Sequence, residues 1–401
     1  MHARTIAAVL LAGTLLVGCA AADGAPAEAP PASRTPAASP VTCGMWLALG
    51  AEPTDAQLVD AARRYPVVVL NAWEVAAQKR LRQLNPAVTV LVYKDLSSTR
   101  SYPAARDGLM PSGVDPAANP DWFATDTSGQ RIEWRPFPQH WQMTVWDTGY
   151  QRAWADDVSA ETVRNGWDGV FADNDIADLS FYSNAVLAGT SGVDETNRRI
   201  RDGLDRLVTT AGTELEARGK LLVPNLSEAR LFPGRWTEHS RFGGAMEENF
   251  AQYGDDGSLI TWQGDQWDEM LRGATDGKHL TLLVTKTGDD RSRDGAAERA
   301  GFAGAALLSG DRTCWTASPT GDYSQPGWSG YQSLSLGAAT GPARRDDDGV
   351  WTREFANGWV ALNPTTTSAT VTPPTGMRTP GGSPAGADVT VPGADAVILV
   401  R

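Results

Sequence analysis

The chain has 401 residues, a formal net charge of -13 and a sequence pI of about 4.8. That acidity excludes the basic footprint a nucleic-acid partner requires and a polybasic membrane-surface helix. The length suits one large barrel with a small accessory domain.

The first residues read as an address. His2 and Arg4 make a basic start, and the apolar run over 6–17 is too short to span a bilayer but suits a signal-peptide core. Leu16-Val17-Gly18-Cys19 resembles the lipobox of bacterial lipoproteins, which implies that residues 1–18 are a lipoprotein signal peptide and that Cys19 carries the lipid. The expected location is the extracytoplasmic face of the bacterial cell membrane, lipid-anchored, with a simply secreted form as the alternative. Residues 19–40 are an Ala/Pro tether too poor in large apolar residues to fold. Folding is expected to start near Val41.

From there short apolar runs alternate with helical patterns, the rhythm of βα units. Met45 to Leu49 is the first predicted strand, followed by a helix over Asp55 to Arg64. Val67 to Leu70 is the second, ending at Asn71, with a helix over Glu74 to Leu84. Val88 to Val92 is the third and ends in Tyr93-Lys94-Asp95; about fifty irregular residues follow, a length that usually signals function. A helix near Tyr150 to Arg164 leads into Gly169-Val170-Phe171-Ala172, a fourth strand that stops in Asp173-Asn174-Asp175. After a helix over Thr196 to Arg218 come strands at Leu221 to Asn225 and Gly243 to Met246. A helix near Gln266 to Ala274, a strand at Leu280 to Val284 ending near Lys286, a helix at Ala296 to Leu308 and a strand at Thr313 to Trp315 complete the series. Eight strands with intervening helices predict an α/β fold, a (β/α)8 TIM barrel over 41–334, with a doubly wound open sheet as runner-up. Past about residue 335, short β-type runs separated by Gly, Pro and Asn predict a small antiparallel, sandwich-like β-domain to residue 401, either bracing the barrel or binding glycan.

Carboxylates just past the C-terminal ends of barrel strands sit where such barrels keep their chemistry. Glycoside hydrolysis needs two, one ionised and one protonated, across the anomeric carbon. Asp173 after the fourth strand and Glu248 after the sixth meet that topology; Glu247 is the alternative, because strand alternation lets only one of the adjacent pair face the cleft. Asp173 is expected ionised and Glu248 raised in pKa. Asn71, Tyr93, Asp95, Asp175, Asn225 and Lys286 are candidate substrate contacts at strand ends, although capping is an equal reading of Asp175. Fifteen Trp is a high count, and Trp46 and Trp73 are candidate stacking platforms or barrel packing.

No metal and no cofactor are called for. The four His show no ligand spacing, CxxC and HExxH are absent, and so are the Gly-rich phosphate loops and the GxSxG elbow. Asp289-Asp290 and Asp346 to Asp348 read as solvated loops, without the spacing of a calcium loop. With Cys19 lipidated, Cys43 and Cys314 remain as a pair in an oxidising compartment. The first and last barrel strands are neighbours, so a disulfide can latch them with Cα atoms roughly 4.4–6.8 Å apart.

Tyr93-Lys94-Asp95, Asp168 to Asn174 and Glu248-Asn249-Phe250 resemble the signatures of hypothetical glycosyl-hydrolase-like family fifteen, a family of TIM-barrel glycoside hydrolases. Arg353 to Gly358 and Val360 to Pro364 resemble the C-terminal β-domain of such proteins. The resemblance implies cleavage of O-glycosyl bonds in a poly- or oligosaccharide. The chain is expected to be a monomer that touches membrane only through its lipid anchor. An Asp after the fourth strand with an acid after the sixth is also similar to retaining α-galactosidase and dextranase barrels, which implies Asp173 as nucleophile and Glu248 as acid/base. The rivals are a non-catalytic glycan-binding lipoprotein that keeps the barrel and a surface-anchored scaffold. Two carboxylates facing one another would favour the enzyme.

Overall fold

Eight parallel strands, paired in chain order, frame the molecule: β1 (Met45–Ala48), β2 (Val67–Leu70), β3 (Thr89–Asp95), β4 (Gly169–Asp175), β5 (Leu221–Leu226), β6 (Gly244–Glu247), β7 (Leu280–Thr287) and β8 (Thr313–Pro319). The computed structural model describes residues 41–100, 109–115, 119–287, 294–319, 323 and 326–401. The proposed signal peptide, Cys19, the tether and Asp289-Asp290 lie outside the described residues. Residues 41 onward belong to one compact unit.

The ring is closed by a short parallel bridge rather than a full ladder. Cys43 N–H donates to the Thr313 carbonyl at 3.0 Å, and Trp315 N–H donates to the Cys43 carbonyl at 2.8 Å. Cys43 and Cys314 are direct bridge partners and are joined by a disulfide. Their Cα atoms are 4.2 Å apart, just below the roughly 4.4–6.8 Å expected from sequence, because the two residues face each other as direct partners across adjacent parallel strands.

Strand alternation divides the apolar side chains between two cores. Inside the ring lie Met45, Leu47, Val67, Val69, Leu91, Phe171, Val223, Met246, Leu282 and Val284. The intervening positions point outward, where Trp46, Val68, Val90 and Val170 pack with the helices. Each such fully buried aliphatic or aromatic side chain contributes about 1.5–3 kcal/mol. Gly169 keeps the ring tight, since a Cβ there would meet the Leu221 backbone carbonyl.

Seven helices accompany the strands among the described residues: α1 (Asp55–Arg64), α2 (Val75–Leu84), α3 (Thr148–Asn165), α4 (Val193–Glu216), α5 (Arg235–Ser240), α6 (Gln266–Asp276) and α7 (Asp294–Leu308). Their starts follow local chemistry: Thr54 and Gln57 form a capping box at α1, and Asp147 accepts from Tyr150 N–H at α3. The six-residue α5 has no counterpart in the sequence reading. None of the described helices is long and apolar enough to cross a membrane.

The C-terminal strands form a four-stranded antiparallel sheet and a separate two-stranded one. Phe355, Val360, Leu362 and Ile398 share a hydrophobic cluster with Leu283, Phe302, Leu307 and Trp315, so this sheet packs on the α7 side of the barrel.

Candidate active site

The inward side-chain series continues past the apolar core into polar residues at the C-terminal rim. Two residues beyond Leu91 comes Tyr93, beyond Phe171 Asp173, beyond Val223 Asn225, beyond Met246 Glu248, and beyond Val284 Lys286. The same period that fills the ring therefore aims five functional groups into one place. All five line a cavity of about 900 Å³ at that rim.

Asn225 is the hinge of the arrangement. Its Nδ2 donates to Asp173 Oδ1 at 2.9 Å and to Glu248 Oε2 at 2.7 Å. A straight line through the shared nitrogen would set those oxygens about 5.6 Å apart, the sum of the two legs, and the ~120° between the two N–H bonds of an amide brings this to about 4.9 Å. Asp173 also accepts from Tyr93 O–H at 2.8 Å and from Asn174 N–H at 2.9 Å. Glu248 accepts from Tyr323 O–H at 2.6 Å and pairs with Lys286 Nζ at 3.2 Å.

These surroundings split the two carboxyl groups, in the sense opposite to the expectation from sequence. Burial, reinforced by the charges of Glu248 and Asp95, pushes Asp173 up to about 6. Burial also acts to raise Glu248, but Lys286, Tyr323 and Asn225 outweigh it and hold Glu248 below the ordinary glutamate value. The expected raised Glu248 is thus corrected: the cation on β7 decides it. The two groups titrate together, so over mildly acidic pH the pair holds one proton.

Glu247 also borders the cavity, so the expectation that only one of the adjacent glutamates reaches it is corrected. It lies outside the network that joins Asp173 to Glu248. Its carboxyl accepts from Asn249 N–H at 2.9 Å and from Gln266 Nε2 at the start of α6, at 2.5 Å. Burial raises it to about 7.

Four of the remaining candidates from sequence bind the protein rather than the cavity. Asp95 is buried; it accepts from Ser97 N–H, Ser98 N–H and Ser98 Oγ, and from Asn174 Nδ2 at 2.7 Å. Its contact with Asn174 orients a neighbour of Asp173. Asp175 is fully buried, against Arg235 and His239 of α5, both at 2.5 Å. Strict alternation would have set it beside Asp173, but the β4–β5 register shifts between Ala172 and Asp175, and Asn174 takes a left-handed φ of 61°. That bulge turns Asp175 to the other side. Trp46 is 3% exposed and belongs to the outer core, because its strand neighbours Met45 and Leu47 take the inward positions. Asn71 is buried, its backbone N–H donating to Glu74 Oε2 at 2.8 Å. Neither Asn71 nor Trp73 lines the cavity, which lies over β3 to β7.

The aromatic wall comes instead from the loops after β3 and β4. Trp134 and Tyr182 stack with centroids 3.8 Å apart, and Tyr182 O–H donates to Asn174 Oδ1 at 2.9 Å, tying the wall to the residue beside Asp173. Phe137 and Phe181, 45% and 54% exposed, stand in the same cavity. Sequence reasoning passed over these residues and Tyr323; the fifty-residue irregular segment was the available signal for Trp134 and Phe137. Among the described residues no group of three or more His, Cys, Asp or Glu is arranged to hold a metal ion.

A family model described as "Hypothetical glycosyl hydrolase family 15" matches residues 82–359. No curated protein matches the sequence. Solved structures with a similar chain path include Ega3 of Aspergillus fumigatus in complex with galactosamine, at 12% identity and a TM-score of 0.42 over 74% of this chain and 96% of that one. The noncanonic maltogenic α-amylase AmyB of Thermotoga neapolitana aligns at 12% identity and a TM-score of 0.48, covering 90% of this chain and 99% of that one. The cycloalternan-forming enzyme of Listeria monocytogenes, in complex with a pentasaccharide substrate, aligns at 9% identity and a TM-score of 0.46 over 91% of this chain, which spans 42% of that enzyme.

Proposed function

We propose that this chain, which belongs to the family described as Hypothetical glycosyl hydrolase family 15, hydrolyses a glycosidic bond of a poly- or oligosaccharide with retention at the anomeric carbon. The observation that carries the reading is the single Asn225 amide holding Asp173 and Glu248 on either side of it. An oxygen separation of about 4.9–5.6 Å across the shared amide suits a retaining pair, whose carboxyl groups lie about 5–5.5 Å apart, better than an inverting pair at about 6.5–9.5 Å.

In this reading Asp173 is the nucleophile and Glu248 the acid/base. Among the described residues the donors to Asp173 are neutral, the Tyr93 hydroxyl and the Asn174 and Asn225 amides, so forming the glycosyl ester breaks no ion pair with them. Glu248 protonates the departing oxygen as the Asp173 bond to the anomeric carbon forms. It then takes a proton from the water that cleaves the ester, restoring both groups. For this Glu248 must hold the pair's proton in the productive complex, which requires the entering sugar to weaken its ion pair with Lys286. The leader and Cys19 support an extracytoplasmic, lipid-anchored enzyme; Cys19→Ser should move the folded protein from the membrane to the soluble fraction, and retention on the membrane would refute the anchor.

The test is incubation with a panel of bacterial cell-wall and capsular polysaccharides, reading released sugars and, by proton NMR, the first anomer formed. Asp173→Ala and Glu248→Ala are each expected to lose several orders of magnitude of turnover, Asp173→Ala without loss of melting temperature at pH 7. Removing Asp173 relieves a cost, since a carboxylate raised to about 6 loses folded-state stability as pH rises from 3.8 through that value. Full activity in the Asp173 variant, or inversion at the anomeric centre, would refute the assignment.

A further inference from the structure

A second, smaller cavity of about 460 Å³ adjoins the catalytic one, and the two share Phe181, Glu228 and Arg230 in their walls. The shared rim is built with care. Phe181 ends a one-turn helix whose Leu179 is buried and whose cap, Asp178, accepts from Ser180 N–H at 2.7 Å, so the ring is held out at the surface. Glu228 sits at a left-handed φ of 54°, a conformation uncommon for a residue with a side chain, and pairs with Arg230 at 2.7 Å. Beyond the rim the second cavity presents Leu231, 55% exposed, with Arg198 and Asn197 beside it.

We propose, resting on the hydrolase reading above, that the two cavities are one cleft, that Phe181 is the stacking platform between them, and that the second cavity is a distal sugar subsite. The enzyme then acts on chains of several sugars rather than on a single terminal residue. The chemistry fits a pyranose: an exposed flat ring and an aliphatic face take its C–H side, and the guanidinium of Arg198 reaches its hydroxyl groups. A single sugar does not need a second cavity; a chain crossing the rim does.

Size-defined fragments of two to eight sugars, prepared from the polysaccharide that the wild type cleaves, test this. For the wild type, kcat/KM is expected to rise about tenfold or more with chain length before levelling. Leu231→Ser and Arg198→Ala, both at exposed positions, are expected to reduce that rise by about fivefold each through KM, about the scale of one stacking or polar contact. A wild type indifferent to chain length, or variants that lose equally on every fragment, would overturn the distal subsite while leaving the hydrolase reading intact. Cleavage that persists in Asp173→Ala would overturn both.

Discussion

Replacing Asn225 with Ala perturbs both carboxyl groups at once. The substitution removes hydrogen bonds of 2.9 and 2.7 Å to Asp173 and Glu248. Bonds to charged groups are worth about 1.5–3 kcal/mol each, but only the part that differs between ground and transition state affects the rate. Losing one positioned donor typically costs about 10²–10³ in rate, and kcat/KM should fall by that amount. Each carboxyl keeps other partners, Tyr93 and Asn174 on one side and Tyr323 and Lys286 on the other, so the fold should hold. The pH profile supplies a second readout. In the wild type kcat/KM needs the one-proton pair, so its alkaline limb should fall near 6 and its acid limb below 4.5. Asn225 favours the ionised form of both groups, and its loss should move both limbs to higher pH. A profile that stays in place, or moves to lower pH, would refute the bridge as the element that sets the pair.

Glu247→Gln is expected to keep most of the activity and the wild-type profile, since Gln266 and Asn249 hold that side chain apart from Asp173 and Glu248; loss as deep as that of Glu248→Ala would place the acid one residue earlier. Cys43→Ser with Cys314→Ser removes a cross-link between residues 271 apart, worth at most about 5–6 kcal/mol in the chain-entropy model; thermal melting should drop by several degrees, and two titratable thiols in the native wild type would deny the bond. His239 is raised from 6.5: its burial opposes the charge, but Asp175 and Asp205 outweigh both that and the nearby Arg235. Its contribution to stability is therefore complete below pH 6.5 and lost as pH rises through the folded-state value, so His239→Gln should flatten the fall of Tm above pH 6.5; an unchanged slope would count against it.

Most of the barrel is legible because its signals are local and repeated. Val67 to Leu70, Leu221 to Val223 and Leu280 to Val284 are apolar runs too short for helices, each followed by a polar strand end, and each is a strand of the ring. The Cys43–Cys314 pairing is also legible, because a closed ring makes its first and last strands neighbours. Proton affinity is not. It depends on which cation faces which acid, and Lys286 stands beside Glu248 although the two are 38 positions apart in sequence.

Asp173 and Asp175 show where period-two reading stops. Alternation alone makes them equivalent, and a left-handed Asn174 between them is compatible with Asn without being required by it. The structure divides them by what each can reach. Asp175 meets Arg235 and His239 of α5, a helix too short to leave a clear periodic trace, and the ion cluster there fixes the outer side of β4. Asp173, on the inner side, meets hydroxyl and amide donors and is raised to about 6. An anion locked between cations suits bracing, whereas a destabilised carboxyl held by neutral donors suits chemistry. The bulge at Asn174 thus sends two acids, separated by one residue, to opposite sides of β4: Asp175 anchors the strand end among cations, and Asp173 stays within reach of Asn225.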